Sequence, residues 1–410
     1  MQGLRADDVV RDVLIALTGV LAAASVADPF SMLPLGLVPM VLVVVVSAMI
    51  GHRPDRLDAA AIAFWGWCEL SVLWTVDPAL TGQARYGLTL CVLLFLLARA
   101  IGGSRRGVLV VGSGFLFGCL VVVYEISGGN LSDVVNSAGV ALRSQMDSPM
   151  TSSVNVNYAS YSLAAAGAVA TRMFAQWRVV RVTVLAGTCV AAAFLGSRGG
   201  FVACLAVAVW VILPSRVQRR ALKPLALVVM FLVVAVPAGW LDHFLQRVAW
   251  QAGSIRDNGT LNGRLVLWPL ARDLWSQRFM LGHGAGTFPE FNPEGVYAHD
   301  AILDIAAGTG LIGVATFAVV VYFVVQRMPR ESVAVQGAFL LATVPPLLSG
   351  YWYLAPALWV VTGLLASKSG GDRDGVGAFD TAGPRGPHTR GSVATAGELT
   401  SLSVESPIVV

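Results

Sequence analysis

The stretch "YAHDAILDIAAGTGLIG", residues 297–313, places His299, Asp300 and Asp304 where a long polar loop re-enters an apolar run. An imidazole takes a proton near neutral pH, so a histidine at such a boundary is a candidate general base. Asp300 adjoins it, Asp304 follows one helical turn after Asp300, and Gly310 and Gly313 offer a small-residue face for close helix packing. The segment just upstream is rich in arginine. In "NGRLVLWPLARDLWSQRF", Arg264, Trp268, Arg272, Trp275 and Arg278 fall on one side at helical spacing, with Leu267, Leu270 and Leu274 adjacent. This predicts an amphipathic helix on a membrane surface with its tryptophans at headgroup depth, provided that Pro269 does not kink it. Its arginines either touch lipid phosphates or grip a phosphate-bearing substrate. In "GSRGGF", 196–201, the glycines around Arg198 let a polar ligand approach the backbone closely; the alternative is an arginine snorkelling to the interface. "LGHGAGTF", 281–288, follows no strand and reads as a turn rather than a nucleotide cradle.

These residues need elements to position them, and composition says which kind. Hydrophobic residues make up 56% of 410 positions and charged residues 13%, which excludes a water-soluble globular domain. The expected fold class is all-α and polytopic, with about twelve transmembrane helices near 10–27, 32–50, 59–76, 84–101, 107–127, 154–174, 179–196, 199–215, 224–240, 299–326, 333–349 and 350–367. With the N-terminus in the cytoplasm, "GHRPDR", "RAIGGSRR", "RMFAQWRVVR", "RVQRRALK" and "RMPR" all fall inside, as the positive-inside rule requires. Arg85, Arg143, Arg198, Arg247, Arg256, Arg264, Arg272 and Arg278 are left outside or at the outer boundary. An even number of spans returns the C-terminus to the cytoplasm.

The domain expectation is one transmembrane unit over 1–367 and a disordered cytoplasmic tail over 368–410, rich in Gly, Ser, Thr and Pro. Two outer segments are long, 128–153 and 241–298; the second is an external loop between spans nine and ten that carries the arginines above. Basic residues follow topology rather than gathering in one patch, so membrane lipids are expected partners and nucleic acid is not. Cys68, Cys91, Cys119, Cys189 and Cys204 lie in apolar runs without metal-ligand spacing, so no metal site and no cofactor is expected. Glu69 and Glu125 fall inside spans, where a carboxylate is either functional or the partner of a buried polar group.

Together these pieces resemble the superfamily of O-antigen ligases and polymerases, bacterial membrane glycosyltransferases whose motif is a histidine, then Asn, Ser or Gln, nine residues, and G-x-x-G. His299 and Asp300 are followed by nine residues and then "GLIG", with Asp300 an acid where the family has a neutral side chain. "LSVLWTVDP" (70–78) resembles its Trp-Ser-x-Asp-Pro turn, "NVNYAS" (155–160) its Asn-centred helix start, "GSRGG" its Ser-Arg-Gly, and "GRLVLWPLA" the opening of its outer loop. The resemblance runs from about 60 to 325. It implies a helical fold of the GT-C type in the bacterial cytoplasmic (inner) membrane. It also implies a metal-independent inverting transfer of a glycan from undecaprenyl diphosphate to an acceptor hydroxyl, on a glycan or a lipid, at the outer face. His299 then matches the proposed base, and Arg198 and Arg264 the diphosphate-binding arginines, with Arg272 on the same helix face as a further candidate. Asp300 either orients the imidazole or marks a diverged member. Two other readings compete: a non-catalytic membrane partner in polysaccharide assembly, and a twelve-span secondary transporter. "GHRPDR" supports the transporter because it fits that class's G-x-x-x-D-R loop at Gly51, Asp55 and Arg56, but the longest loop here is outside, after span nine.

Overall fold

Helices in this chain begin where a short polar side chain can accept the first free N–H groups. Asp55, Asp77, Ser197, Asp300 and Ser332 each do so, and Pro78 and Pro356 occupy first-turn positions where their missing N–H costs nothing. The computed structural model describes residues 6–24, 54–126, 156–251, 264–328, 331–348, 350 and 355–367. All of these lie within the unit Met1–Ser369, and the expected tail falls outside the described residues.

The elements are α-helical: α1 (Ala6–Ala24), α2 (Arg56–Leu70), α3 (Pro78–Ile101), α4 (Arg105–Ile126), α5 (Val156–Met173), α6 (Arg178–Phe194), α7 (Arg198–Ile212), α8 (Ser215–Ala235), α9 (Asp242–Gln251), α10 (Arg264–Gln277), α11 (Ala301–Arg327), α12 (Val333–Leu347) and α13 (Pro356–Leu365). Eleven of the twelve expected spans coincide with one of these helices; the span at 32–50 lies outside the described residues. By length and composition α3, α4 (over Arg105–Tyr124) and α11 can each cross a bilayer, and α7, α12 and α13 are shorter apolar helices. The loop 241–298 contributes α9 and α10.

Neighbouring helices pair α1 with α4, α3 with α13, α5 with α7, α12 with both α5 and α7, and α2 with α11. Between α2, α3, α11 and α13, Phe64, Phe95, Phe317 and Trp359 form a chain of ring contacts with centroids 5.2 to 6.2 Å apart. Each such pair adds about 0.5–1.5 kcal/mol beyond its area burial.

One end of this group is tied by ions. Arg99, almost fully buried, meets Asp58 at 2.6 Å, Asp55 at 2.8 Å and the Ala366 carbonyl at 2.6 Å, and Arg327 meets Asp55 at 2.5 Å. Burial works to raise the Asp55 carboxyl, but Arg99, the Leu57 N–H and Arg327 outweigh it and hold it at about 2. The aspartate of the G-x-x-x-D-R pattern is therefore a cap that joins α2, α3 and α11. Glu69 resolves in the same way, paired with Arg85 at 2.5 Å and accepting from Thr89 at 3.2 Å. The Glu125 side chain lies outside the described residues.

Candidate active site

The helix α11 is not continuous. Gly310 has φ 69 and ψ −167, a conformation open essentially to glycine alone, and a Cβ there would run into the Met280 backbone. The broken turn frees backbone groups that a bilayer cannot satisfy. The segment 279–286 satisfies them: the Leu311 N–H donates to Phe279 O (2.8 Å), and the His283 and Gly284 N–H groups donate to Ala307 O (3.0 Å) and Gly308 O (2.7 Å). The Trp67 indole donates to Thr309 O at 2.9 Å. The outer turn before α3 closes over this segment. Val76 N–H donates to His283 O (3.2 Å), Trp74 Nε1 to Leu281 O (3.0 Å), and Ala285 N–H to Ser71 Oγ (3.0 Å). Thus "LSVLWTVDP", the glycine-rich turn and the G-x-x-G form one layered clamp that fixes where the first turns of α11 sit. Gly310 is both the break in α11 and the point of closest approach to the 280–281 backbone, so its small size serves packing against a loop.

At the head of α11, Asp300 Oδ1 accepts from Ile302 N–H (3.0 Å) and Leu303 N–H (2.9 Å). Its Oδ2 has no hydrogen-bond partner among the described residues. Among the described residues no hydrogen bond joins Asp300 to the His299 imidazole; Oδ1 caps the helix N-terminus. His299 itself has φ 56 and is the one non-glycine residue at positive φ among the described residues. Burial first, and then the charge of Arg264, hold its imidazole down at about 4, so it is neutral at pH 7. Burial pushes the Asp300 carboxyl up to about 7, against the Leu303 and Ile302 N–H groups and the charges of Arg272 and Arg264.

The arginines come from α10, whose position corrects the expectation of a surface helix. Leu267, Trp268, Ala271 and Leu274 are buried and pack with Ala298, Leu303 and Ala307 of the α11 entry. Trp268 is 4% exposed and donates its indole N–H to Ala298 O at 3.1 Å, so its ring packs on protein. The apolar stripe finds a protein partner in place of lipid. The helix runs through Pro269. Arg264, its first residue, stands beside His299, whereas Arg272 is bound to Asp242 of α9 at 2.5 Å. Arg278 is exposed and donates to Trp74 O at 3.3 Å.

Arg198 stands on another helix. It is exposed at the start of α7, with no hydrogen bond or ion pair among the described residues. The turn that presents it is fixed: Ser197 Oγ caps Gly200 N–H (3.3 Å) and donates to Asn157 Oδ1 (2.8 Å), and Gly200 packs directly on Ser160. Two motifs distant in sequence, "NVNYAS" and "GSRGG", therefore meet. The structure brings Arg264, Arg272, His299 and Asp300 into one neighbourhood and links Arg198 to the start of α5.

Sequence reasoning placed Asp304 on the correct turn but missed its contact. It is 2% exposed, and its Oδ1 accepts from Ala298 N–H at 2.9 Å. Among the described residues no group of three His, Cys, Asp or Glu side chains is placed to hold a metal ion.

Residues 182–318 match the family model of O-antigen ligases. No curated protein matches the chain. The O-antigen ligase match starts in α6, ends in α11, and contains Arg198, Arg264, Arg272, His299, Asp300, Gly310 and Gly313. The family implies glycan transfer of the O-antigen ligase or polymerase type, with lipid-linked glycan substrates, at the inner membrane. The clamp formed by 71–76 and the Asn157 contact lie outside the matched region, yet both bear directly on residues within it.

Proposed function

We propose that this protein transfers a glycan from undecaprenyl diphosphate to an acceptor hydroxyl on the outer face of the bacterial cytoplasmic membrane. The acceptor oxygen attacks the anomeric carbon as the bond to the diphosphate breaks, which inverts the configuration in one displacement without a metal. His299 takes the hydroxyl proton. Arg264 and Arg198 hold the charge developing on the diphosphate through paired guanidinium contacts. Arg272, already engaged with Asp242, contributes field more than contact. Asp300 fixes the turn that carries His299. The chain crosses the membrane about twelve times, with both termini and the 368–410 tail in the cytoplasm.

The observation that carries this reading is a neutral imidazole beside Arg264, at the head of a broken membrane helix inside the O-antigen ligase match. A base and a cation held together are what the departure of a diphosphate requires. Purified full-length protein in lipid, given labelled lipid-linked glycan and acceptor, should yield product on a sizing gel. A ladder indicates a polymerase and a single transfer a ligase. His299→Ala should lose about a hundred- to ten-thousandfold in rate while still binding donor. Full transfer by a stably folded His299→Ala protein would overturn the assignment of the base.

A further inference from the structure

His299 has an unusual backbone, and a left-handed residue that is not glycine persists only where its surroundings over-determine it. The constraint falls on the residue before it. Ala298 is fully buried, and both of its backbone hydrogen-bonding groups are taken by side chains from different helices. Its N–H donates to Asp304 Oδ1 at 2.9 Å, from α11, and its carbonyl accepts from Trp268 Nε1 at 3.1 Å, from α10. These two bonds fix the position of the Ala298 backbone on both sides. Asp300 fixes the other flank by capping α11, and Asp304 N–H donates to Asp300 O at 2.9 Å, so both flanks are anchored on the same helical turn.

We infer that Asp304 and Trp268 are positioning residues that hold His299 in its left-handed conformation by gripping the two backbone groups of Ala298. The inference rests on the reading of His299 as the base. The two grips have different chemistry. Asp304 supplies an acceptor to a buried N–H that would otherwise have none, since the loop has left any ladder and α11 has not yet begun. Trp268 supplies a donor, and its ring fills the apolar seam between α10 and the α11 entry, so the same side chain that docks α10 also sets the distance from Arg264 to His299. A slip of this turn by about 1 Å is enough to cost on the order of a hundredfold in rate.

The test uses the full-length protein in lipid and three variants. Asp304→Asn keeps an acceptor oxygen, Asp304→Leu keeps volume without one, and Trp268→Phe keeps a ring without the donor. Two quantities are read: kcat and KM for labelled lipid-linked donor, and the titration of the His299 imidazole by NMR with labelled histidine. The charge that acts on the imidazole is that of Arg264; Arg264 and Arg272 act on Asp300, Asp300 acts on Asp304, and Asp242 pairs with Arg272, so of these groups only Asp304 is altered.

Asp304→Leu and Trp268→Phe should lower kcat by roughly ten- to a hundredfold with donor KM moved less than about threefold. In both, the imidazole titration should climb from about 4 toward the ordinary 6.5 as the ring leaves its buried place. Asp304→Asn should keep kcat within about threefold of wild type and leave the titration low. A merely structural role would reduce the yield of folded protein without moving the titration of the fraction that folds. An imidazole that stays low in Asp304→Leu and Trp268→Phe overturns the inference. An imidazole that moves while transfer stays at the wild-type rate supports the clamp and removes His299 from the chemistry, so the two failures are distinguishable.

Discussion

The pH dependence of transfer should reveal the pairing of His299 with Arg264. The imidazole falls from 6.5 to about 4 in the folded protein, a difference of about 3 kcal/mol between its two protonation states at about 1.4 kcal/mol per pH unit. Burial is the larger cause and Arg264 the second, so removing the guanidinium returns less than half of this, roughly one pH unit. With His299 as the proposed base, the neutral imidazole is the active form, and activity is lost as pH falls through its folded value. For wild type the acid limb of kcat/KM, which reports the free enzyme, is expected near 4 instead of the 6.5 of an ordinary histidine. In Arg264→Gln overall transfer should drop while that limb moves up by up to about one unit. With Arg264 holding the diphosphate as proposed, bound donor offers it negative charge, so the limb of kcat in wild type should lie above that of kcat/KM, and the gap should close in Arg264→Gln. Rates measured from pH 4 to 8 with labelled donor in lipid settle the matter. A wild-type limb at or above 6.5, or one that stays put or moves down in Arg264→Gln, would refute the pairing.

Two further outcomes are expected. Asp300→Asn should stabilise the protein at alkaline pH: its carboxyl is raised from 3.8 to about 7, so the ionised form costs up to about 4 kcal/mol above pH 7, and the cost fades as pH falls toward 3.8. Unfolding temperatures in detergent should therefore favour Asp300→Asn at pH 8 and converge with wild type near pH 4; a gain of equal size at both would exclude this origin. Gly310→Ala should cost about 3 kcal/mol or more, because the alanine would occupy a glycine-only conformation against the Met280 backbone. Gly187→Ala, with open space around its Cβ, serves as the control in α6, and equal unfolding temperatures for the two variants would count against the helix break.

Much of the helical framework was legible because long apolar runs carry their own ends: the caps Asp55, Asp77, Ser197 and Asp300 stand in the sequence immediately before the helices they start. Arg264, His299 and Asp300 were legible as a group because they match motifs of one family, although 23 residues separate α10 from α11. The break at Gly310 was not, since hydropathy runs unbroken from Ala301 to Arg327 and only the far backbone of 279–284 shows that a turn is missing. Trp268 misled for a related reason. A tryptophan among arginines at helical spacing has one pattern whether its partner is lipid or protein, and Ala298, Leu303 and Ala307 decide between them from thirty or more residues away.

Asp300 shows how a departure in sequence can leave the structure's demand unchanged. Against a motif with Asn, Ser or Gln after the histidine, an acid suggested either an orienter of the imidazole or a chain that had lost its chemistry. The residue is an N-cap, and Asn, Ser and Asp serve that position about equally well because each offers one short-reach oxygen to the second and third N–H groups. The substitution therefore keeps the geometry that fixes His299 and changes only the electrostatics: a buried carboxyl raised to about 7 adjoins an imidazole held at about 4, and the charge of Arg264 acts on both. Asp300→Asn should therefore remove the titrating carboxyl while keeping the cap that holds the turn. That variant should transfer glycan at a rate close to wild type, with its acid limb still near 4, and a large loss of transfer would show that the carboxylate itself is needed.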